Sequence, residues 1–359
     1  SKYDTDARYW SVSQAIVDVP KMWQLTAAKT GERRAEVERE VARQDFRDEF
    51  VSLYLEGLSA LERIKAAQMQ VRYLATRAAR EEAEVEAGRV GVSVYAITLS
   101  SLAEAKAELA AATALSDALN DQFCALGTAT CPGISPLSLK YPLGPDLWQQ
   151  LESRLGGIKS SPDLRSLDLG IRRVEQEASQ VKSGFLPTLT FEFERRTDNN
   201  GGSVFDGSSD VEKDIYRLRA TFKPFEGGRK FASLGRRQAE SRALAAERDL
   251  RARELQSDLT RAVGNAQAAF AADRTLAGVV SAQKHAVELA MAQYRAGREP
   301  IDKVFEVKAE LARLEVAQHA ARREFIQSMV VRERAMGHAA TFSLSLLDRL
   351  VAAPGKFSR

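Results

Sequence analysis

The chain has 359 residues with a formal net charge of +3, and 28% of its residues are charged. Because the two signs are interspersed, no concentrated basic surface is predicted, which argues against a nucleic-acid-binding protein. No apolar stretch approaches the roughly 18 residues that a membrane-spanning helix needs, whereas a membrane-spanning β-strand, with its weaker alternating pattern, is not excluded.

The first part of the chain predicts two helices of unequal length. From about Trp23 to Ala87 there is no proline and there are only two glycines, so a helix of about 95 Å is expected. After a break over 88–93, a second helix of about 50 Å is predicted from about Tyr95 to Gly127. A helix as long as the first needs packing partners along its whole length.

Two cysteines lie close together after the second predicted helix. Cys124 and Cys131 flank a Gly-Thr turn and could close a small disulfide loop in an oxidising compartment; the alternative is two unpaired thiols in a loop. Two cysteines alone do not form a zinc site, and the three histidines lie far apart without metal-ligand spacing. We therefore predict no metal site, no cofactor and no catalytic residue.

A helix and a β-hairpin are predicted in the middle of the chain. Ser161 and Pro162 suit the start of a helix that carries one apolar stripe and ends before Gly184. Beyond it, residues 189–194 and 216–223 alternate between apolar and charged side chains, which predicts a hairpin with one face of each kind. Four residues of the charged face could lie opposite one another: Glu192, Glu194, Arg217 and Arg219.

The second half of the chain repeats the first. A long helix is predicted from about Lys230 to Ala296 and a return helix from about Asp302 to Met336, and the two tip glycines, Gly88 and Gly297, are 209 residues apart. Each unit is a strand, a long helix, a tip turn and a shorter return helix. The repeat predicts four strands in all, with three in this chain and about 50 residues of the first unit preceding residue 1.

Four pieces of the sequence resemble the TolC family of outer-membrane efflux and secretion ducts, and they occur in the family's order. They are a helix that runs into "SGFLPTL" (183–189), the strand exit "KPFEGGRK" (223–230), its degenerate first-repeat version "QAIVDVPKMW" (14–23), and the helix tip "YRAGREPIDKVFEVKAELARLEVA" (294–317). The resemblance covers nearly the whole chain.

The resemblance implies a mainly α fold with a small β part. Long antiparallel helical hairpins would form an α-barrel tunnel in a homotrimer, continuous with a transmembrane β-barrel in the outer membrane of a Gram-negative bacterium, with a large periplasmic part. The implied function is the passive, gated exit duct of a tripartite efflux pump or a type I secretion system. The implied partners are outer-membrane lipid, a periplasmic adaptor and an inner-membrane pump or ABC transporter. The alternative is a periplasmic adaptor or coiled-coil scaffold protein.

This interpretation divides the chain into six segments. They are a β-barrel strand (1–22), a tunnel hairpin (23–127), an equatorial loop and helix (128–185), a β-barrel hairpin (186–226), a second tunnel hairpin (227–337) and a C-terminal equatorial tail (338–359).

The resemblance also implies roles for single residues. In the family, carboxylates at the second-repeat tip line the narrowest point of the tunnel. The two matching positions hold Lys303 and Glu306, and Asp302 is one residue off, so these three are candidates for pore lining and gating. The alternative is that they are solvated first-turn residues, favoured there by the helix dipole. Gly88 and Gly297 mark the implied adaptor-docking turns, and the four charged hairpin residues would face the barrel lumen.

Overall fold

The computed structural model describes residues 5–126, 158–200 and 209–337. The elements in chain order are β1 (Thr5–Val17), α1 (Val19–Glu86), α2 (Val92–Ala125), a 3-10 turn (Ile158–Ser160), α3 (Pro162–Ser183), β2 (Thr188–Asn200), β3 (Ser209–Thr221), α4 (Arg229–Arg295) and α5 (Ile301–Met336). The predicted fold class, mainly helical with one small sheet, is confirmed. None of the described helices is long and apolar enough to cross a membrane.

The chain divides into two compact units. The first consists of Ser1–Arg39 and Pro162–Arg251, and the second of Glu40–Ser161 and Ala252–Arg359. The long helices α1 and α4 therefore contribute residues to both units.

In the first unit, the three strands form one antiparallel sheet in the order β1-β2-β3. The strand of the first repeat thus pairs with the hairpin of the second. β2 and β3 stay paired from Thr188↔Thr221 to Asn200↔Ser209, which is further than the alternation predicted, because residues 197–200 and 209–210 continue the ladder.

The first long helix begins earlier than predicted. α1 starts at Val19 rather than near Trp23. The carboxylate of Asp18 accepts a hydrogen bond from the backbone N–H of Lys21 at 3.1 Å, as an N-cap residue does. Pro20 lies in the first turn, where its missing N–H costs no helical hydrogen bond.

Lys230 holds together the junction where the strands of the first unit meet its helices. Its Nζ donates to the backbone oxygens of Gly184 at 2.7 Å and Lys223 at 2.6 Å, and it lies 5.1 Å from the ring centroid of Phe185. The end of α3 and the exit of β3 are therefore tied to the first turn of α4. Two preceding glycines, with φ of +59° and +80°, provide the turn.

The second unit is organised around α5. Its core joins Val51 and Leu55 of α1 and Ala266 and Ala269 of α4 to three residues of α5, namely Phe325, Ile326 and Met329. A buried ion pair also connects α5 to α4, with Arg322 Nε 2.7 Å from Asp273 Oδ1.

α2 is far more exposed than α5. Its buried residues are Thr98, Ala105 and Leu119, which are spaced by multiples of seven and so lie on a single seam. Phe123 also packs against Phe50 and Tyr54 of α1, at ring-centroid distances of 4.9 and 6.1 Å, and most of the other residues of α2 are exposed.

The end of α5 depends on a glycine. Gly337 has φ +77°, and its N–H donates to the carbonyl of Arg334 at 3.0 Å. Beside it, the Ser160 hydroxyl donates to the carbonyl of Met336 at 2.5 Å. A Cβ at Gly337 would overlap the carbonyl group of Ser160, so this close approach requires glycine.

Candidate functional site

The two tip turns of the second unit have the same backbone geometry. Gly88 and Gly297 adopt φ of +69° and +68°. In each turn the glycine N–H donates three residues back and the following N–H donates five residues back, at 2.9 and 2.8 Å in the first turn and 2.9 and 3.0 Å in the second. This pair of bonds is a common helix ending at a left-handed glycine. The sequence repeat thus extends to individual hydrogen bonds.

Asp302 is held against the other repeat. Its Oδ2 lies 2.6 Å from Nη1 of Arg80, near the end of α1, and its side chain is only 9% exposed. Its position in the first turn of α5 also favours a negative charge. Arg80 is additionally 3.7 Å from Glu84 on its own helix. Asp302 therefore connects the return helix of the second repeat to the long helix of the first.

Lys303 and Glu306 form an exposed ion pair. The Lys303 Nζ lies 2.8 Å from Glu306 Oε2, and the two side chains are 47% and 45% exposed. The hydrogen bond to Glu306 and the charge of that carboxylate raise the pKa of Lys303. Because the lysine sits directly on the carboxylate, the negative field of Glu306 is largely neutralised locally. The predicted pore-lining role of this pair stays a prediction.

A buried glutamate ties α1 to the other return helix. Glu81 accepts a hydrogen bond from Arg77 Nε at 2.7 Å and another from Thr98 of α2. Burial by itself would raise the pKa of Glu81, but the hydrogen bonds from Thr98 and Arg77 outweigh burial and lower it. The last turns of α1 thus contact α2 through Glu81 and α5 through Arg80.

Neither Arg80 nor Glu81 was identified from the sequence. They lie in a run of charged residues on a helix, "RAAREEAEVE" (77–86), in which nothing distinguishes the buried positions from the solvated ones. A heptad analysis that paired α1 with α5 could have placed Arg80 near the first turn of α5.

The charged side chains on one face of the sheet in the first unit form ion pairs between diagonal neighbours on adjacent strands. Glu192 lies directly opposite Arg217 in the register. The ion pairs, however, cross to the diagonal neighbours: Arg217 Nη1 is 2.9 Å from Glu194 Oε2, and Arg219 Nη2 is 3.2 Å from Glu192 Oε2. Long side chains reach diagonal positions readily. The four predicted residues are therefore brought together, and their lumen-facing role stays a prediction.

The opposite face of the sheet carries aromatic side chains. Phe193 is central, with its ring centroid 5.0 Å from those of Trp10 and of Tyr216. Trp10 is 51% exposed and Tyr216 is 67% exposed, so this face is not covered within the described chain.

The predicted disulfide lies partly outside the described residues. Cys124 is near the C-terminal end of α2, whereas Cys131 falls outside the described ranges, so the pairing stays a prediction. Within those ranges no group of side chains could hold a metal ion.

Comparison with known proteins identifies the family. Residues 158–338, half of the chain, match the family model described as outer membrane efflux protein. No curated protein sequence matches the chain.

Solved structures of outer-membrane channels share the fold. The CmeC channel of Campylobacter jejuni is 12% identical with a TM-score of 0.72, covering 98% of this chain and 81% of that one. VceC of Vibrio cholerae is 13% identical with a TM-score of 0.68, covering 94% of this chain and 87% of that one. The open state of MtrE of Neisseria gonorrhoeae is 17% identical with a TM-score of 0.66, covering 94% of this chain and 81% of that one. The match of the family model, together with this shared fold, shows that the chain belongs to the outer membrane efflux protein family, whose members are channels and not enzymes.

Proposed function

We propose that this protein is the exit duct of a tripartite efflux pump, and that three copies assemble into one gated channel. The observation that carries the proposal is the two-faced sheet of the first unit. One face presents the aromatic cluster of Trp10, Phe193 and Tyr216, and the other presents the ion-paired glutamates and arginines. The aromatic face also carries one ion pair beside the cluster, in which Arg195 Nε lies 2.7 Å from Asp214 Oδ1. A face of aromatic side chains bordered by charge, opposite a charged face, suits a β-barrel wall between lipid and water.

The edges of the sheet support assembly with other copies. Within the described residues, β1 and β3 each pair on one side only. An open, exposed strand edge is a template for pairing with another chain, and closure into a barrel removes it. The exposed surface of α2 gives the helical unit a comparable capacity for contacts with neighbours.

The tip contacts supply a mechanism for gating. Arg80 and Asp302 join the first repeat to the second at the tips, and Glu81 joins α1 to α2. Separation of the hairpins at the tips would break this contact between repeats early, because Arg80 lies eight residues before Gly88 and Asp302 lies five residues after Gly297. We infer that this ion pair opposes opening and that the exposed pair of Lys303 and Glu306 lines the passage.

Efflux channels of this family work with periplasmic adaptors and inner-membrane pumps. The tip turns at Gly88 and Gly297 are the proposed docking points. Apolar side chains next to the first turn support this, since Val92 is 67% exposed and Ile97 is 68% exposed. An adaptor with an apolar tip would cover them, and its binding energy could be used to separate the hairpins.

Conductance in planar lipid bilayers tests the proposal. Purified protein should insert and give discrete ion-conducting steps. A double variant, Trp10→Glu with Tyr216→Glu, would place charges on the proposed lipid face and should abolish insertion. The matched control is Glu192→Gln with Arg219→Gln, which changes the proposed water-lined face and should preserve insertion. Absence of conductance from the unmodified protein, or equal insertion by the two double variants, would refute the assignment of faces.

A further inference from the structure

We propose that a groove between α1 and α3, in the first unit, binds the carboxylate or phosphate group of a small anion. This inference concerns a site that passive conduction does not need and goes beyond the proposed function. It rests on a difference between the two sides of the interface where these helices cross.

On one side of that interface, the arginines are packed and paired. Gly31 leaves room for the side chain of Arg173, and Gly170 leaves room for that of Arg34. Each arginine is ion-paired within its own helix. Arg34 Nε lies 2.7 Å from Oε1 of Glu38. Arg173 Nε lies 3.1 Å from Oε1 of Glu177. These guanidinium groups have partners and would gain little from an anion.

On the other side, a cavity of about 520 Å³ opens between the helices and has more basic than acidic groups. Its charged lining consists of Arg33 and Glu36 from α1 and of Arg165, Asp168 and Arg172 from α3. Within the described residues, neither Arg33 nor Arg172 has a hydrogen bond or an ion pair.

The two acidic groups of the groove offset only part of the charge of its three arginines. Asp168 is engaged by Arg248 of α4, whose Nε lies 3.2 Å from its Oδ1. Glu36 is the remaining carboxylate of the lining and cancels one of its positive charges. Among the described contacts no ion pair joins it to Arg33, although the two are three residues apart on one helix. Two guanidinium groups that have no partner within the described part of the chain, one from each helix, therefore line a cavity whose three arginines outnumber its two acidic residues.

The chemistry of these groups defines the class of ligand. A guanidinium group presents a planar fork of N–H donors that matches the oxygens of a carboxylate or phosphate. The cavity is also lined by Val37, which is buried, and by the half-buried Leu169. An anion with a short apolar part therefore fits better than inorganic phosphate, and benzoate and phenylphosphate are suitable probes.

Site-resolved protection of arginines tests the proposal on the full chain in detergent. Phenylglyoxal modifies accessible guanidinium groups, and mass spectrometry gives the rate at each position. With a dissociation constant of about 1 mM, 10 mM probe should slow modification of Arg33 and Arg172 about 10-fold. Arg236, an exposed arginine of α4 outside the groove, should react at an unchanged rate. Comparing the two probes shows whether carboxylate or phosphate binds better, and neutral benzyl alcohol should protect neither position.

Variants supply a second measurement. By titration calorimetry, Arg33→Gln with Arg172→Gln should lose binding of the better probe at least 10-fold, whereas Arg236→Gln should retain it. Equal slowing at all three arginines, or no slowing at any, would overturn the proposal. It would also be overturned if Arg33 and Arg172 proved unreactive without a probe, because a second copy of the chain would then cover the groove. Channel conductance is measured separately, so failure here leaves the proposed function intact.

Discussion

Removing the negative charge of Asp302 tests the contact between the two repeats. Asp302→Asn keeps the shape of the side chain but breaks its ion pair with Arg80 at 2.6 Å. The aspartate side chain is only 9% exposed, which favours a substantial contribution, but the arginine is 40% exposed and is screened by water. We therefore estimate a loss of about 1–2 kcal/mol from the contact, which corresponds to a factor of about 5–30 in a two-state equilibrium.

Single-channel recording measures the consequence. If the ion pair opposes separation of the tips, the ratio of time spent in the high- and low-conductance states should rise by about that factor. Glu84→Gln is the matched control, because it removes the other carboxylate near Arg80, at 3.7 Å, without affecting contacts between helices. It should leave the open fraction nearly unchanged. An equal open fraction in Asp302→Asn and the unmodified channel would refute the role of this contact in gating.

Three further predictions concern the tips and the packing of the second unit. Lys303→Met removes the cation that neutralises Glu306, so block of conductance by polyvalent cations should become stronger. Gly337→Ala should lower the free energy of unfolding by about 2–4 kcal/mol, through a left-handed backbone and steric overlap, as measured by chemical denaturation. The hydrogen bonds from Thr98 and Arg77 lower the pKa of Glu81 below its ordinary value of 4.5, so its stabilisation is present above that pH and is lost as the pH falls through the folded-state pKa. Glu81→Gln should therefore flatten the acid limb of the stability curve.

Each of these predictions has its own contradictory result. Unchanged cation block in Lys303→Met would contradict the neutralisation of Glu306 by the lysine. If Glu306→Ala leaves both conductance and cation block unchanged, the carboxylate does not line the passage. Gly264→Ala is the control for Gly337, since a Cβ there meets open space on a helix, and it should stabilise by about 0.5–1 kcal/mol. A similar loss in both glycine variants would contradict the steric argument. An unchanged acid limb in Glu81→Gln would mean that this carboxylate does not stabilise the fold as described.

The architecture could be predicted from the sequence because it depends on the spacing of apolar residues and on the glycines that end helices. Alternation over 189–194 and 216–223 predicted the hairpin, and Gly88 and Gly297 marked the two tip turns that the structure places at helix ends with left-handed backbone. The predicted start of α1 was wrong by four residues because a local capping hydrogen bond determines it. Asp18 caps the helix, so α1 begins at Val19 rather than near Trp23.

The contacts of the candidate site were not accessible from the sequence. Arg80 and Asp302 are far apart along the chain, and their pairing follows from the register of two antiparallel helices rather than from any local motif. From the sequence, Asp302 was equally consistent with a solvated residue in the first turn of α5. Only the packing of α1 against α5 shows that it is instead paired with Arg80 between the two helices. The diagonal ion pairs of the sheet likewise depend on side-chain reach across the register, which alternation alone does not specify.

The mass of the purified protein in detergent tests the central claim most directly. Light scattering corrected for bound detergent should give about three times the chain mass of 39.5 kDa, as expected for three copies forming one channel. A single monodisperse species at the mass of one chain would contradict the account.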